Sequence, residues 1–127
     1  MITERELIDL AREASENAYA PYSNFKVGAA LECADGAVFK GCNIENAAYG
    51  STICAERTAC VKAVSEGHRK FTRIAIYADS KDYAYPCGAC RQFLVEFSPD
   101  MEVLISREDR DYLKLTLRDL LPGIFEF

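Results

Sequence analysis

The chain has 127 residues, half of them hydrophobic, with a formal net charge of −5 and an isoelectric point near 4.9. This length predicts a single domain over residues 1–127, and the acidic balance argues against a protein that binds nucleic acid through clustered Lys and Arg. The sequence opens with no signal-peptide pattern, and no apolar run reaches the roughly 18 residues of a membrane span, so we expect a cytoplasmic protein with a small neutral substrate.

The first third of the chain predicts a helix followed by a hairpin of two strands. Thr3 and Glu6 have the spacing of a capping box, and the apolar residues that follow recur at helical spacing. This pattern predicts an amphipathic helix from residue 4 to about residue 18. Two apolar runs, 25–31 and 38–42, flank an Asp-Gly pair and predict a β-hairpin.

The rest of the chain predicts strands that alternate with helices. Apolar residues recur at helical spacing from Cys54 to Gly67, and again from Cys87 to about Phe97. Three further strands are predicted at 71–78, 101–105 and 112–115, and a last helical turn or two at 116–121. Helices that connect strands after a hairpin favour a mixed sheet covered on both faces. We therefore predict an α/β three-layer sandwich, with a mixed five-stranded sheet between helices.

Three cysteines have the spacing of a metal site. Cys87 and Cys90 follow Pro86 three residues apart, so at a helix start both sulfurs leave the same face of the first turn. Cys54, at the predicted start of another helix, offers a third thiolate, and helix N-termini lower the pKa of a thiol. Three protein ligands leave one coordination position open, which is typical of a catalytic zinc site. We therefore predict that these cysteines bind Zn²⁺.

Two charged residues directly after Cys54 fit such a site. Glu56 is predicted to accept a proton from water beside the metal, although a glutamate in a first helical turn is also a common surface residue. Three thiolates outweigh the charge of Zn²⁺ and weaken it as a Lewis acid. Arg57 is predicted to offset this by donating hydrogen bonds to the ligand sulfurs; the alternative is a solvated surface arginine.

The other thiols and the single histidine give no clear second site in the sequence. Cys33, Cys42 and Cys60 lie in apolar stretches, and we predict that they are buried small residues. His68 follows a glycine and precedes two basic residues, which predicts an exposed loop residue. A structural zinc site would need a fourth ligand, and none of these four residues is paired with another at ligand spacing.

Several longer segments resemble the cytidine deaminase family, specifically its small homotetrameric branch with three cysteine ligands. Besides the cysteine motifs CAE and PCGAC, they are YAPYSNFKVGAA at 19–30, GCNIENAAY at 41–49 and LLPG at 120–123. The similarity covers nearly the whole chain. It implies that zinc activates water for attack on C4 of cytosine, while Glu56 carries protons to N3 and to the departing amine. Cytidine and 2′-deoxycytidine would become uridine and 2′-deoxyuridine with release of ammonia, as in pyrimidine salvage.

The resemblance also implies which residues hold the substrate. Phe25 matches the aromatic residue that stacks on the base, and the backbone N–H of Ala55 matches a contact to the base edge. Asn43 and Glu45 match the positions that bind the ribose hydroxyls. Without the resemblance, Phe25 would be the first core residue of a strand, and the two polar residues would be ordinary turn residues.

The family's small branch is a homotetramer in which each active site receives residues from neighbouring subunits. Tyr49 and Phe125 match such positions, and we therefore expect a homotetramer with shared sites. Without the resemblance, the end of the chain at Phe125 would be a frayed tail or a packing tether. The segments 51–53 and 79–85 match no pattern of the family and receive no role.

Three other functions remain open at this stage. A nucleoside-antibiotic deaminase of the blasticidin type, or a deaminase of nucleotides or tRNA bases, would share the zinc chemistry. Asn43 and Glu45 form a negative sugar-binding surface that repels a 5′-phosphate, which favours a free nucleoside. A zinc-stabilised binding domain without enzymatic activity is the third alternative, and only the enzyme requires Glu56.

Overall fold

The structure is a computed structural model that describes residues 2–125 of the chain. Its elements follow the predicted order, with an additional 3₁₀ helix at Tyr49–Ser51. They are α1 (Glu4–Ser15), β1 (Val27–Cys33), β2 (Val38–Cys42), α2 (Ala55–Ser65), β3 (Phe71–Ala78), α3 (Gly88–Val95), β4 (Glu102–Ser106), β5 (Tyr112–Thr116) and α4 (Leu117–Leu120). Within the described range, no helix is long and apolar enough to cross a membrane.

The five strands form one mixed sheet in the order β2-β1-β3-β4-β5. The central strands β3 and β4 run parallel, and the other neighbouring pairs are antiparallel. A parallel pair needs a crossover connection, which α3 supplies here. This topology confirms the predicted mixed sheet of five strands.

Helices cover both faces of the sheet. Successive side chains of its central strands pack alternately into two apolar clusters, one on each face. In β3, Ala75 and Tyr77 pack in the cluster formed with α1. Ile74 and Ile76, on the opposite face, pack in the larger cluster that includes residues of α2, α3 and α4. The predicted three-layer α/β sandwich is therefore confirmed.

Among the element boundaries that differ from the prediction, two affect the substrate-binding region. The helix α1 ends at Ser15 rather than near residue 18, because the chain then turns and Tyr19 forms an isolated bridge with Ile44. The backbone N–H of Tyr19 donates to the carbonyl of Asn43 at 3.0 Å. The strand β1 begins at Val27, so Phe25 lies before the strand rather than in the core.

The close approach of α1 to β1 depends on Gly28. A Cβ at this position would lie 1.9 Å from the carbonyl oxygen of Ala11 and 2.5 Å from the amide nitrogen of Ser15. Both atoms belong to backbone, so the clash can be relieved only by moving the helix. We expect Gly28→Ala to lower the free energy of unfolding by about 3 kcal/mol. Urea unfolding should show this loss; Gly50→Ala, where a Cβ meets open space, is the control, and equal midpoints for the two variants would contradict the prediction.

Candidate active site

The structure brings the three predicted ligand cysteines together at two helix starts. Cys54 is the N-cap of α2, and Cys87 is the N-cap of α3, where its sulfur accepts a hydrogen bond from the N–H of Cys90 at 3.4 Å. The Sγ atoms of Cys54 and Cys87 are 3.8 Å apart, and those of Cys87 and Cys90 are 3.3 Å apart. All three sulfurs lie within 4.8 Å of one another.

This set of donors fits Zn²⁺. Tetrahedral zinc with Zn–S bonds of about 2.3 Å holds its sulfurs about 3.8 Å apart. The measured distance between Cys54 and Cys87 equals that value, and the distance from Cys87 to Cys90 is somewhat shorter. Thiolates favour zinc over hard cations such as Mg²⁺ and Ca²⁺. Cys90 is fully buried, whereas Cys54 and Cys87 line a cavity, so a metal bound here would face the inside of that cavity.

Hydrogen bonds within the cluster lower the pKa of the Cys54 thiol. The thiol of Cys90 donates to Cys54, and this bond, with further ones from Arg57 and Cys87, lowers the pKa of Cys54 to about 5 despite its burial. The same bond to Cys54, together with burial, raises the pKa of Cys90. By contrast, burial raises the pKa of Cys33 and of Cys60 to about 11, so both are neutral thiols at pH 7. The contacts within the cluster therefore favour the thiolate form of Cys54, which is the form that binds a metal.

Glu56 is a buried residue of the same cavity and not a surface glutamate. Only 5% of it is exposed, and it lies in the cavity wall together with Cys54 and Cys87. Burial raises the pKa of its carboxyl to about 7; a hydrogen bond from its own backbone N–H lowers this value, and the negative charge of Cys54 raises it. A carboxyl that titrates near neutral pH can both accept and return a proton.

Arg57 lies against the ligand cluster, as its predicted role requires. Its Nη2 atom is 3.7 Å from Sγ of Cys54, within hydrogen-bond reach of a sulfur. Its Nε is buried and has no hydrogen-bond partner within residues 2–125. The thiolate of Cys54 raises the pKa of the guanidinium, first through this hydrogen bond and then through its charge. This position differs from the solvated surface arginine that was the alternative.

Loss of the arginine charge should weaken the site without removing a ligand. We expect Arg57→Gln to lower zinc affinity or kcat/KM by about 10- to 100-fold, because three thiolates then carry their negative charge without compensation. Zinc per chain and steady-state kinetics measure the two effects separately. Arg69→Gln, at an exposed arginine after α2, is the matched control. If Arg57→Gln leaves both quantities unchanged, Arg57 has no part in the site.

The cavity beside the cysteines has a volume of about 200 Å³ and aromatic walls. Phe25 is 41% exposed and, like the half-exposed Tyr85, lines this cavity; the hypothesis that Phe25 is a core residue is therefore wrong. The other lining residues are Val27, Asn43, Thr52, Ile53, Cys54, Ala55, Glu56, Ala84 and Cys87. A planar ligand in this cavity would share it with two aromatic rings, with Glu56 and with the cysteines.

The two residues that were predicted to bind a sugar are both held by backbone hydrogen bonds. The side-chain amide of Asn43 accepts from the N–H of Val27 at 2.9 Å and donates to the carbonyl of Phe25 at 2.7 Å. The carboxylate of Glu45 accepts from the N–H groups of Tyr22 and Ser23 at 2.9 and 3.2 Å. Each side chain keeps capacity for one more partner, because the amide has a second N–H and the carboxylate has further lone pairs.

Asn43 and Glu45 line different but neighbouring cavities. Glu45 lines a second space of about 400 Å³, which meets the first at Thr52. Tyr49 also lines this second space and is 89% exposed. The exposed Phe125 lies by α3, where its carbonyl accepts from the Nε2 of Gln92 at 3.2 Å. Within residues 2–125 of a single chain, neither Tyr49 nor Phe125 lines the cavity that contains Glu56.

Sequence reasoning missed five residues of the cavity wall, namely Val27, Thr52, Ile53, Ala84 and Tyr85. All but Val27 belong to the two segments that matched no family pattern. Their closeness in sequence to the predicted ligands was the available signal, because Ile53 directly precedes Cys54 and Tyr85 lies two residues before Cys87. A residue next to a ligand in an extended segment has to lie near the metal site.

Two predictions for residues outside the site need correction. His68 is half-buried rather than exposed: its ring packs against Phe39, with centroids 5.1 Å apart, and its Nδ1 is 3.4 Å from a carboxylate oxygen of Asp35. Cys42 is only partly buried, because it ends the edge strand β2, whereas Cys33 and Cys60 are buried as predicted. Glu126 and Phe127, the last residues of the predicted tail, lie outside the described residues.

Comparisons with known proteins agree with this site. Residues 1–106 match the family model described as the cytidine and deoxycytidylate deaminase zinc-binding region. The chain is 52% identical over 120 residues to a cytidine deaminase of Halalkalibacterium halodurans, covering 94% of this chain and 91% of that one. It is 51% identical over 119 residues to a probable cytidine deaminase of Dictyostelium discoideum, covering 93% of this chain and 80% of the relative.

Solved structures show the same similarity. The crystal structure of cytidine deaminase from Burkholderia pseudomallei superposes with a TM-score of 0.95 at 48% sequence identity, covering 98% of this chain and 100% of that chain. The crystal structure of cytidine deaminase from Mycobacterium tuberculosis superposes with a TM-score of 0.85 at 37% identity, covering 100% of both chains. The fold and the zinc-binding region are thus shared over essentially the whole chain.

Proposed function

The chain belongs to the family of cytidine and deoxycytidylate deaminases, and from this we propose that it is a zinc-dependent cytidine deaminase. It converts cytidine and 2′-deoxycytidine to uridine and 2′-deoxyuridine, with release of ammonia. The observation that carries this function is the convergence of three cysteine sulfurs with the buried Glu56 at one cavity. A zinc-stabilised binding domain would have no use for a buried carboxyl that titrates near neutral pH.

Glu56 performs the proton transfers of this reaction. Zn²⁺ held by Cys54, Cys87 and Cys90 would supply a Lewis acid that makes water nucleophilic at neutral pH. Glu56 accepts one proton from the water that attacks C4 of the base and delivers it to N3. It then takes the second proton of the added oxygen and gives it to the amino nitrogen, which leaves C4 as ammonia. One water is consumed for each ammonia released, and the carboxylate is regenerated.

The base is oriented by the start of α2 and by the aromatic wall. The first N–H groups of a helix have no partner within the helix, so the N–H of Ala55 is available to the base edge. Phe25 stacks on the base from its position before β1. Asn43 lines the same cavity, and Glu45 lies across Thr52 in the neighbouring one, so the ribose bridges the two cavities and uses the remaining capacity of both side chains.

Tyr85 is proposed as a second aromatic contact to the base, because it lines the same cavity as Phe25 and is half exposed there. We expect Tyr85→Ala to raise KM for cytidine by about 3- to 10-fold with little change in kcat, since ring contacts are worth about 0.5–1.5 kcal/mol. Tyr85→Phe keeps the ring and is the control that should behave as wild type. Equal KM values for Tyr85→Ala and wild type would show that Tyr85 does not contact the base.

We propose that the protein acts as a homotetramer in the cytoplasm, with active sites shared between subunits. Large apolar side chains are exposed in the single chain: Tyr22 and Tyr49 line the second cavity, and Phe125 lies by α3. Exposed apolar clusters of this kind mark contacts between proteins. Tyr49 and Phe125 would complete the site of a neighbouring subunit. Light scattering at assay concentration tests the assembly, and a monomer would contradict it.

A comparison of substrates tests the proposed function. Initial rates are measured on cytidine, 2′-deoxycytidine, deoxycytidylate and blasticidin under identical conditions. We expect both nucleosides to react, and deoxycytidylate to react at least about 10-fold more slowly, because the carboxylate of Glu45 repels a phosphate on the sugar. A preference for deoxycytidylate or for blasticidin would show that the proposed substrate is wrong, while the proposed zinc-dependent deamination would stand. Inactivity on all four substrates would contradict the enzymatic assignment.

A further inference from the structure

A second group of metal-binding side chains lies at the opposite end of β1 from the active site. Val27, the first residue of this strand, lines the catalytic cavity, and Cys33 is its last residue. At a rise of about 3.3 Å per residue, the two residues are about 20 Å apart. The second group therefore shares no residue with the site described above.

Three donor atoms of different chemistry meet at this place. The sulfur of Cys33, a carboxylate oxygen of Asp35 and a ring nitrogen of His68 all lie within 4.8 Å of one another. The Nδ1 atom of His68 and the Oδ2 atom of Asp35 are 3.4 Å apart. This separation exceeds the usual hydrogen-bond range of about 2.7–3.2 Å. Thiolate, imidazole and carboxylate together form a set of ligands that proteins use for zinc.

Each of the three residues is held in place by bonds that do not use its donor atom. The N–H of Cys33 donates to the carbonyl of Ala37 at 2.8 Å, and only 2% of this cysteine is exposed. The Oδ1 atom of Asp35 accepts from the N–H of Ala37 at 3.0 Å, which leaves Oδ2 toward the histidine. The N–H of His68 donates to the carbonyl of Ala63 at 3.0 Å, and its ring packs on Phe39. The group is therefore ordered in advance of any ligand.

We propose that Cys33, Asp35 and His68 form a second site for a divalent transition ion such as Zn²⁺, with its remaining coordination positions open to solvent. Asp35 is exposed and His68 is half-buried, so an ion reaches the buried sulfur from this side. The thiol proton of Cys33 leaves to solvent on binding, because the thiolate is the ligand form. The ion would connect the β1–β2 turn to the segment between α2 and β3, two parts of the chain about 30 residues apart. A histidine–aspartate ion pair alone would not need a cysteine at this distance.

Cobalt titration tests this site, on protein that has first been dialysed against a chelator to about one zinc per chain, so that the second site is empty. Zn²⁺ binds such ligands more tightly than Co²⁺, so the catalytic zinc stays in place, and zinc content measured after the titration checks this. We expect about one additional Co²⁺ per chain, with the thiolate-to-cobalt charge-transfer absorption that a cysteine ligand produces. His68→Asn should weaken this binding at least about 10-fold, and Asp35→Asn should weaken it less. Both variants should keep wild-type deaminase activity.

Two further variants complete the test. Cys33→Ser should abolish the charge-transfer absorption, but Cys33 is buried, so His68→Asn at the half-buried position is the decisive variant. Cys42→Ser is the matched thiol control, because Cys42 lies outside the group and should leave cobalt binding unchanged. The proposal fails if no cobalt absorption appears, if His68→Asn binds cobalt as tightly as wild type, or if Cys42→Ser abolishes the binding.

Discussion

Glu56→Gln is expected to abolish deamination while the protein keeps its zinc. The amide has nearly the shape of the carboxyl but cannot carry a proton at neutral pH, so both proton transfers to the base lose their carrier. General acid–base catalysis contributes up to about 10⁴-fold, and this residue acts twice in each cycle, so kcat/KM should fall at least about 1,000-fold. Because Glu56 is buried in the cavity wall, bulk water cannot easily take over its proton transfers in the variant.

The control for this variant lies on the same helix. Glu66→Gln changes an exposed glutamate at the C-cap of α2 and should leave activity and zinc content unchanged. Zinc per chain is measured for both variants, so that a lost metal is not mistaken for a lost proton carrier. A Glu56→Gln protein that holds its zinc and retains more than a tenth of wild-type activity would remove Glu56 from the mechanism.

Cys90→Ser is expected to remove zinc and, with it, all measurable activity. Cys90 is the fully buried member of the cysteine cluster that we propose to bind zinc, and a serine hydroxyl is a much harder and less acidic donor than a thiol. The free energy of metal binding also stabilises the folded state, so the variant should unfold at lower temperature than the zinc-loaded wild type. After dialysis against a chelator, metal analysis should find about one zinc per chain in wild type and almost none in the variant.

Cys60→Ser is the matched control for this loss. Cys60 is also a fully buried cysteine, but it lies outside both groups of possible ligands. This variant should lose some stability through the buried hydroxyl and should keep its zinc and its activity. Equal zinc contents in Cys90→Ser and Cys60→Ser would show that Cys90 is not a ligand.

Local patterns were sufficient to predict that Cys54, Cys87 and Cys90 lie together, and to predict most of the fold. The helices that begin after Cys54 and Cys87 could be placed because a helix start needs only short-range signals, and the two N-caps are at the predicted residues. The strand at 71–78 has the predicted bounds, because a continuous apolar run marks a strand that is buried on both faces. Once the fold class was predicted, the meeting of the two helix starts that carry Cys54 and Cys87 could be predicted as well.

The parts that differ from prediction depend on contacts between distant segments. Helix α1 stops early because Tyr19 pairs with Ile44, which no local propensity encodes. His68 is half-buried because the β1–β2 hairpin, about 30 residues earlier in the chain, brings Asp35 and Phe39 against it. The position of Phe25 in a cavity wall, rather than in the core, depends on where β1 begins its pairing with β2 and β3. Apolar periodicity alone cannot distinguish these outcomes.

Product analysis of the zinc-loaded wild-type protein tests the central claim most directly. The protein is incubated with an excess of cytidine, and uridine and free ammonia are quantified over time. We predict that the two products form in equal amounts over many turnovers. If cytidine is unchanged while about one zinc per chain remains bound, the three cysteines form a structural site and the deaminase assignment is contradicted.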